Sequence, residues 1–304
     1  MNFSISILVI MLSMCHIITA AEKTKVSLPK NNLVSVAPVT AEIRKKFAHK
    51  NDFYKKQVNL DGLYILGSEK VRDRSLREAR YLIQSVLKTR PAILSNLVAQ
   101  NVRVGVMAYT EFTTDIPEHS RLSPWMNLRA RGLGGNPVTC GEENLLQFSG
   151  DRYTGENILI HEFAHIIDRG LSTLDKDFRE KLKKLYKTHK TAGKLSGYGM
   201  SNSGEFWAEG VQSWFNCNKD GGIAIALKDG KKLELNTRDA LKKHLPDVAD
   251  FISERLNGNT WSYTPVTARL TQPHLKGYDP AKAPEFVTPE TIRIEGEKHK
   301  PGKK

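Results

Sequence analysis

The sequence of 304 residues predicts an α+β fold in two lobes, a mixed α/β N-lobe with an edge strand and a mainly helical C-lobe. Three observations carry that expectation. Apolar, β-rich runs at Gly62 to Leu66 and Val102 to Tyr109 alternate with helical periodicity in the first half. Downstream, Asp175 to Lys187 places Phe178, Leu182 and Leu185 at helical core spacing, and Asn236 to Leu256 reads as two helices parted by Pro246. Where the halves meet, the apolar run from Ile158 to Ile167 reads as a buried helix that carries two histidines and a glutamate.

In chain order, residues 1–21 read as an export signal: Ile5 to Met14 is a short apolar core, and Thr19-Ala20-Ala21 supplies small residues for cleavage. No Lys or Arg precedes that core, so only the amino terminus supplies positive charge. Leu12-Ser13-Met14-Cys15 has a lipoprotein flavour, but Met14 stands where a small residue is needed, which argues against an anchor on Cys15. The catalytic unit is expected over 22–256, with its N-lobe ending near 154 and its C-lobe at 155–256. Glu22 to Val39 is polar, and helices are expected at Arg74 to Leu87 and, after Pro91, at Ala92 to Gln100. Gly132-Leu133-Gly134-Gly135 lacks the Lys-Ser/Thr of a phosphate loop and reads as a flexible loop near a cleft. Beyond Asn257 the segment 257–304, rich in Pro, Gly and charge, is expected to wrap the domain through Trp261, Tyr263 and Tyr278 and to end in a disordered basic tail.

His161-Glu162-Phe163-Ala164-His165 is the most informative stretch. Histidines at i and i+4 share one helix face, so both imidazoles can hold one Zn²⁺, and the intervening glutamate can take a proton from water acidified by the metal. The pattern also arises by accident on exposed helices. Here Ile158, Leu159, Ile160, Phe163, Ala164, Ile166 and Ile167 surround the pair, and two unpartnered imidazoles in such a helix would leave buried nitrogens unsatisfied. A third protein ligand is needed. In Ser203 to Phe215, Trp207, Val211, Trp214 and Phe215 mark a core stripe, while Glu205, Glu209 and Gln212 form a second, polar stripe at i, i+4 and i+7. Glu205 is the candidate ligand; the alternative is a capping box in which Asn202 caps the helix and Glu205 is its third residue.

These residues resemble a known family. The histidine pair, Asp168 three residues on, Tyr198, and Glu205 seven residues later within Glu205-Phe206-Trp207-Ala208-Glu209 look like the catalytic domain of anthrax lethal factor and of the smaller clostridial Pro-Pro endopeptidases. The third ligand follows the second histidine by 40 residues (205 − 165), which suits that family better than thermolysin-type enzymes. The likeness covers about Gly155 to Phe215, and nothing here resembles the toxin's other domains. The resemblance implies a zincin-like gluzincin in which His161, His165 and Glu205 bind zinc, Glu162 is the general base and later proton donor, and Tyr198 stabilises the oxyanion. Asp168 and Glu209 would accept ring N–H groups behind the ligands, or else serve as helix-face ion pairs. In zincins an edge strand upstream of the active-site helix pairs with substrate, and Leu145-Leu146-Gln147-Phe148 occupies that place; a plain interior strand is the alternative.

Composition agrees with an exported globular protein, since 39% hydrophobic and 26% charged residues suffice for a real core. After signal removal two cysteines remain, and a Cys140–Cys217 disulfide is expected; two buried thiols are the alternative. The net charge of +13 is dispersed over Arg44-Lys45-Lys46, Lys55-Lys56, Lys181 to Lys184 and the terminal lysines. No nucleic-acid-binding signature accompanies it, so nucleic acid is excluded and anionic cell-surface polymers are the electrostatic partners considered. The expected function is that of a secreted or periplasmic zinc endopeptidase acting on protein or peptide, without stable membrane insertion. The alternatives are a non-catalytic zinc-stabilised binding protein and a zinc amidase acting on cell-wall peptide.

Overall fold

The computed structural model describes residues 33–47 and 52–302. The expected export signal and Cys15 fall outside the described residues. The architecture is mixed, with a six-stranded sheet in the first half and helices dominating the second.

The large sheet comprises β1 (Ala37–Pro38), β2 (Lys56–Leu60), β3 (Leu63–Gly67), β4 (Arg103–Met107), β5 (Gly132–Leu133) and β6 (Val138–Gly141) in the order β1-β2-β3-β4-β6-β5. β2 and β3 form a hairpin through Asp61-Gly62, where Asn59 Oδ1 accepts the Gly62 N–H at 2.7 Å. β3, β4 and β6 run parallel; β5 returns antiparallel and forms an edge. The predicted strands at 62–66 and 102–109 are β3 and β4. β2 was not anticipated, because Lys56-Gln57-Val58-Asn59-Leu60 offers two core residues among polar ones.

After a short α1 (Ala41–Lys46), α2 (Asp73–Leu87) and α3 (Pro91–Ala99) cross between β3 and β4, with Pro91 at the first turn of α3, where its missing N–H costs nothing. They lie within two residues of their predicted bounds. α4 (Met126–Arg129) precedes β5, and α5 (Glu142–Leu146) follows β6. The central helix α6 (Ile158–Leu174) packs on β5 and β6 on one side and on α2, α3 and α8 (Ser203–Trp214) on others. α7 (Phe178–Ala192) braces α8, as do α9 (Arg238–His244) and α10 (Pro246–Arg255), which Pro246 separates as predicted. A small antiparallel sheet, β7 (Leu195–Ser196), β8 (Ala224–Ala226) and β9 (Lys232–Glu234), flanks the start of α8.

Two expectations are corrected here. Leu145 to Phe148 is no strand: Leu145 and Leu146 complete α5, Gln147 takes a left-handed conformation, and Leu145, Leu146 and Phe148 are buried. A short apolar run does not distinguish strand from single-turn helix, and here the buried Glu142 decides it. At the first turn of α5 its carboxylate accepts from Arg72 N–H, Ser75 Oγ and Tyr109 N–H at 3.1, 2.8 and 3.1 Å. Likewise Cys140 and Cys217 are not bridged: both are free and buried. Cys140 sits on interior strand β6, paired on both sides, whereas the Cys217 sulfur lies 3.4 Å from the Gln212 carbonyl oxygen just past α8. Burial pushes both thiols up, so neither offers a reactive thiolate.

The segment after Asn257 folds back over the first half. Trp261 packs edge-on against Tyr81, the Tyr263 N–H reaches Phe215 O at 2.8 Å, and the Tyr278 hydroxyl donates to Leu146 O at 2.8 Å. Near the end of this segment α11 (Glu290–Lys298) lies on α4, ahead of the terminal lysines.

Candidate metal centre

Two helices bring the site together. α6 begins at Asn157, whose side chain accepts the Ile160 N–H at 3.0 Å, while Asn144 Oδ1 accepts the Ile158 N–H at 2.8 Å. These bonds satisfy helix-terminal donors that lie in the core. α8 begins at Asn202, whose Oδ1 accepts from Gly204 and Glu205 N–H at 2.8 and 3.0 Å. The Trp207 indole N–H donates to Ala164 O of α6 at 2.8 Å, and Asn157 N–H donates to Cys217 O at 3.0 Å, so the two helices are tied at both ends of their contact.

His161, His165 and Glu205 converge, and their ligand atoms lie within 4.8 Å of one another. One carboxylate oxygen, Glu205 Oε2, stands 3.2 Å from His161 Nε2 and 3.5 Å from His165 Nε2. Ligand atoms about 2 Å from a tetrahedral ion stand about 3.3 Å apart. The residues present therefore fit a metal ion. Capping does not compete with ligation, because Asn202 caps through its own side chain while Glu205 turns its carboxylate to the histidines.

Hydrogen-bond directions sharpen the case. Gln212 Nε2 donates to Asn157 O at 3.1 Å, which leaves Gln212 Oε1 facing His161 Nδ1 at 2.8 Å. An amide oxygen only accepts, so the proton sits on Nδ1 and a neutral His161 turns a bare lone pair at Glu205. Two lone pairs at 3.2 Å need a cation between them. Without a metal a proton takes that place: burial pulls the His161 pKa down, but the Glu205 hydrogen bond and the Glu162 and Glu209 charges outweigh it and raise it to about 9. For Glu205, burial pushes upward and the bonds from both histidines win, holding it well below the usual carboxylate range.

Around this cluster a cleft of about 820 Å³ opens. Glu162 faces it, its pKa raised by burial against the lowering pull of His161 and His165, and it accepts a hydrogen bond from Gly134 N–H. Tyr198, in a 3-10 turn at Tyr198–Met200, lines the cleft with its ring centroid 6.3 Å from that of His161, and burial raises its pKa. The cleft wall facing α6 is β5, with Gly132, Leu133 and Gly134 along it. The sheet edge beside the cleft is thus Gly132–Leu133 and not 145–148, while Gly134 and Gly135, just past it, are bends as the loop reading expected. Its glycines allow the approach: a Cβ on Gly132 would lie 2.4 Å from Ile158 Cγ2, and one on Gly134 2.8 Å from His165.

Asp168 is not behind a ligand. It accepts from Arg179 Nε at 2.8 Å and Ser172 Oγ at 3.2 Å, which is the helix-face ion-pair alternative. Glu209 stands 3.7 Å from His161 Nδ1, too far for a hydrogen bond, and its carboxylate accepts from Asn218 at 2.7 Å. Its charge reaches His161 while Gln212 takes the N–H. Gln212 shared the polar stripe with Glu205 and Glu209, but an amide gave no reason to single it out. Arg129 was also missed; it comes from α4, distant in sequence, and lines the same cleft as Tyr198 and Glu205. No family model, curated protein or solved structure matched this chain in three comparisons.

Proposed function

We propose that this protein is an exported zinc-dependent endopeptidase, a gluzincin of the lethal-factor-like kind whose cleft separates two lobes. The observation that carries the reading is the pair of imidazole Nε2 atoms directed at one Glu205 oxygen, with Gln212 holding His161 in the tautomer that leaves Nε2 bare. Two imidazoles and a carboxylate with a position open to the cleft are a donor set for catalytic zinc. When bound, zinc polarises the scissile carbonyl and acidifies water at neutral pH.

The remaining chemistry falls to side chains and backbone. Glu162 takes the proton of the attacking water and passes it to the leaving amine; its raised pKa suits an acceptor that must later donate. Tyr198, on the cleft wall beside the ligands, donates its O–H to the carbonyl oxygen as negative charge develops there. β5, a sheet edge beside Glu162, accommodates an extended backbone, and this favours a peptide over a compact cell-wall amide.

The test is a zinc assay beside a peptide-library digestion read by new termini. The mature protein should carry one equivalent of zinc, and Glu162→Gln should keep it while losing roughly three orders of magnitude in cleavage rate. Cleavage that survives in zinc-free protein, or in Glu162→Gln, would remove the reading.

A further inference from the structure

We propose that Glu156 is a positioning residue for the metal cluster: its carboxylate fixes which way round the Gln212 amide sits, and with it the ring nitrogen that His161 turns to the ion. This rests on the zinc reading above. An amide side chain is nearly symmetrical in shape, so packing alone does not distinguish its oxygen end from its nitrogen end. Turned the other way, Gln212 would offer an N–H to His161 Nδ1. The ring proton of a neutral His161 would then sit on Nε2, and the lone pair facing Glu205 would be lost.

Two acceptors prevent that reversal. Gln212 Nε2 donates to Asn157 O at 3.1 Å and to Glu156 Oε2 at 3.5 Å, one acceptor for each of its two N–H groups. Neither a backbone carbonyl nor a carboxylate donates, so only the nitrogen end of the amide fits between them. Oε1 is left facing His161 Nδ1 at 2.8 Å. The carboxylate also does what a second carbonyl would not. Its charge polarises the amide, which makes Oε1 a stronger acceptor of the Nδ1 proton and the His161 Nε2 lone pair a better ligand.

Glu156 is itself held from behind. Lys219 Nζ stands 2.6 Å from Glu156 Oε1 and 5.2 Å from the centre of the Tyr153 ring. The Glu156 side chain is only 9% exposed, so this is not a freely solvated surface pair. Glu156 lies just ahead of α6 and Lys219 just past α8, so the pair ties together the two helices that carry the ligands. Both backbones are anchored without it. Glu156 N–H donates to Tyr153 O at 3.1 Å, Asn144 Nδ2 donates to Glu156 O at 3.0 Å, and Lys219 N–H donates to Asn218 Oδ1 at 2.8 Å. Changing the Glu156 side chain therefore leaves its backbone in place.

Zinc affinity, measured by chelator competition with no peptide present, tests the relay. Glu156→Leu should bind zinc about 3-fold to 10-fold more weakly, short of the loss in Gln212→Leu, because it stands one step further from the ligand. Glu156→Gln, of the same shape with a neutral acceptor, should fall between wild type and Glu156→Leu, and it carries the test if the leucine variant does not fold. Glu156→Leu combined with Gln212→Leu should bind zinc no more weakly than Gln212→Leu alone. In NMR spectra of zinc-loaded protein with ring-labelled histidine, the ring N–H resonance that Gln212→Leu displaces should move the same way, by less, in Glu156→Leu. A merely structural Glu156 would lower the melting temperature and leave that resonance in place. Wild-type zinc affinity in both Glu156 variants, additive losses in the double variant, or an unmoved resonance would overturn the relay and leave the three ligands standing. A wild type that binds no zinc would overturn the zinc reading and the relay together.

Discussion

At the residue scale, the site depends on which atoms carry protons and which positions exclude a side chain. Gln212 determines the His161 tautomer through one acceptor oxygen, and a leucine of similar volume removes that acceptor without opening a cavity. Gln212→Leu should weaken zinc binding about 10-fold to 100-fold, the usual effect of removing a partner behind a ligating histidine. Competition with a chromophoric chelator measures it, and wild-type affinity would mean that Gln212 only packs. Gly134 is constrained by space instead. The Cβ of Gly134→Ala would stand 2.8 Å from His165, at the residue after β5 whose N–H also holds Glu162, so both zinc affinity and cleavage rate should fall. The neighbouring Gly135 is the control: its nearest neighbour to a new Cβ is Pro137 O at 3.5 Å, an ordinary contact, and Gly135→Ala should behave as wild type.

At the element scale, α8 does two jobs that the sequence left as alternatives. Asn202→Ala should cost about 1 kcal/mol of stability through the lost N-cap while zinc stays stoichiometric. Glu205→Ala should instead lose the metal while the Asn202 cap stays in place, so zinc content measured beside thermal melts separates the two. Strong periodicity was readable: α2, α3, α6, α8, α9 and α10 stand close to where apolar spacing, Pro91 and Pro246 placed them. That His161, His165 and Glu205 could come together was readable too, because histidines at i and i+4 and a polar stripe beside an aromatic one are local patterns. What could not be read depends on long-range pairing. Leu145, Leu146 and Phe148 are apolar in either conformation, and the turn of α5 is decided by a Glu142 network reaching back to Arg72 and Ser75. Gly132-Leu133 has the composition of a loop and becomes a strand only because Cys140 and Thr139 lie alongside it. The disulfide was inferred from parity and position in sequence, neither of which reports where the two sulfurs point.

At the scale of the whole molecule, distant segments converge on α6 and α8, and charge buried between segments is matched. Glu78 of α2 is fully buried and pairs with Arg269 and His274 of the C-terminal strap, and Arg131 meets Glu143 in a two-pronged pair at 2.6 and 2.9 Å. At the candidate metal cluster such matching is open to a cation from outside, since His161 and His165 of α6 face Glu205 of α8 with atoms that could hold a metal ion. Occupancy should therefore govern global stability, and its loss should make stability depend on pH. In metal-free protein the proton between His161 and Glu205 replaces the ion. The His161 pKa is raised in the folded state from 6.5 to about 9, so the stabilisation it contributes is fully present below about pH 6.5 and is lost as pH rises through about 9. Chelated protein should then melt at progressively lower temperature between those pH values. The zinc-loaded protein should show no such decline over that window, because the ion keeps its place between deprotonated ligands. Calorimetric melts of both forms across that range decide the matter: parallel pH profiles would mean that the cleft between α6 and α8 is held by packing alone, with Trp207 and its bond to Ala164 sufficient to carry the contact.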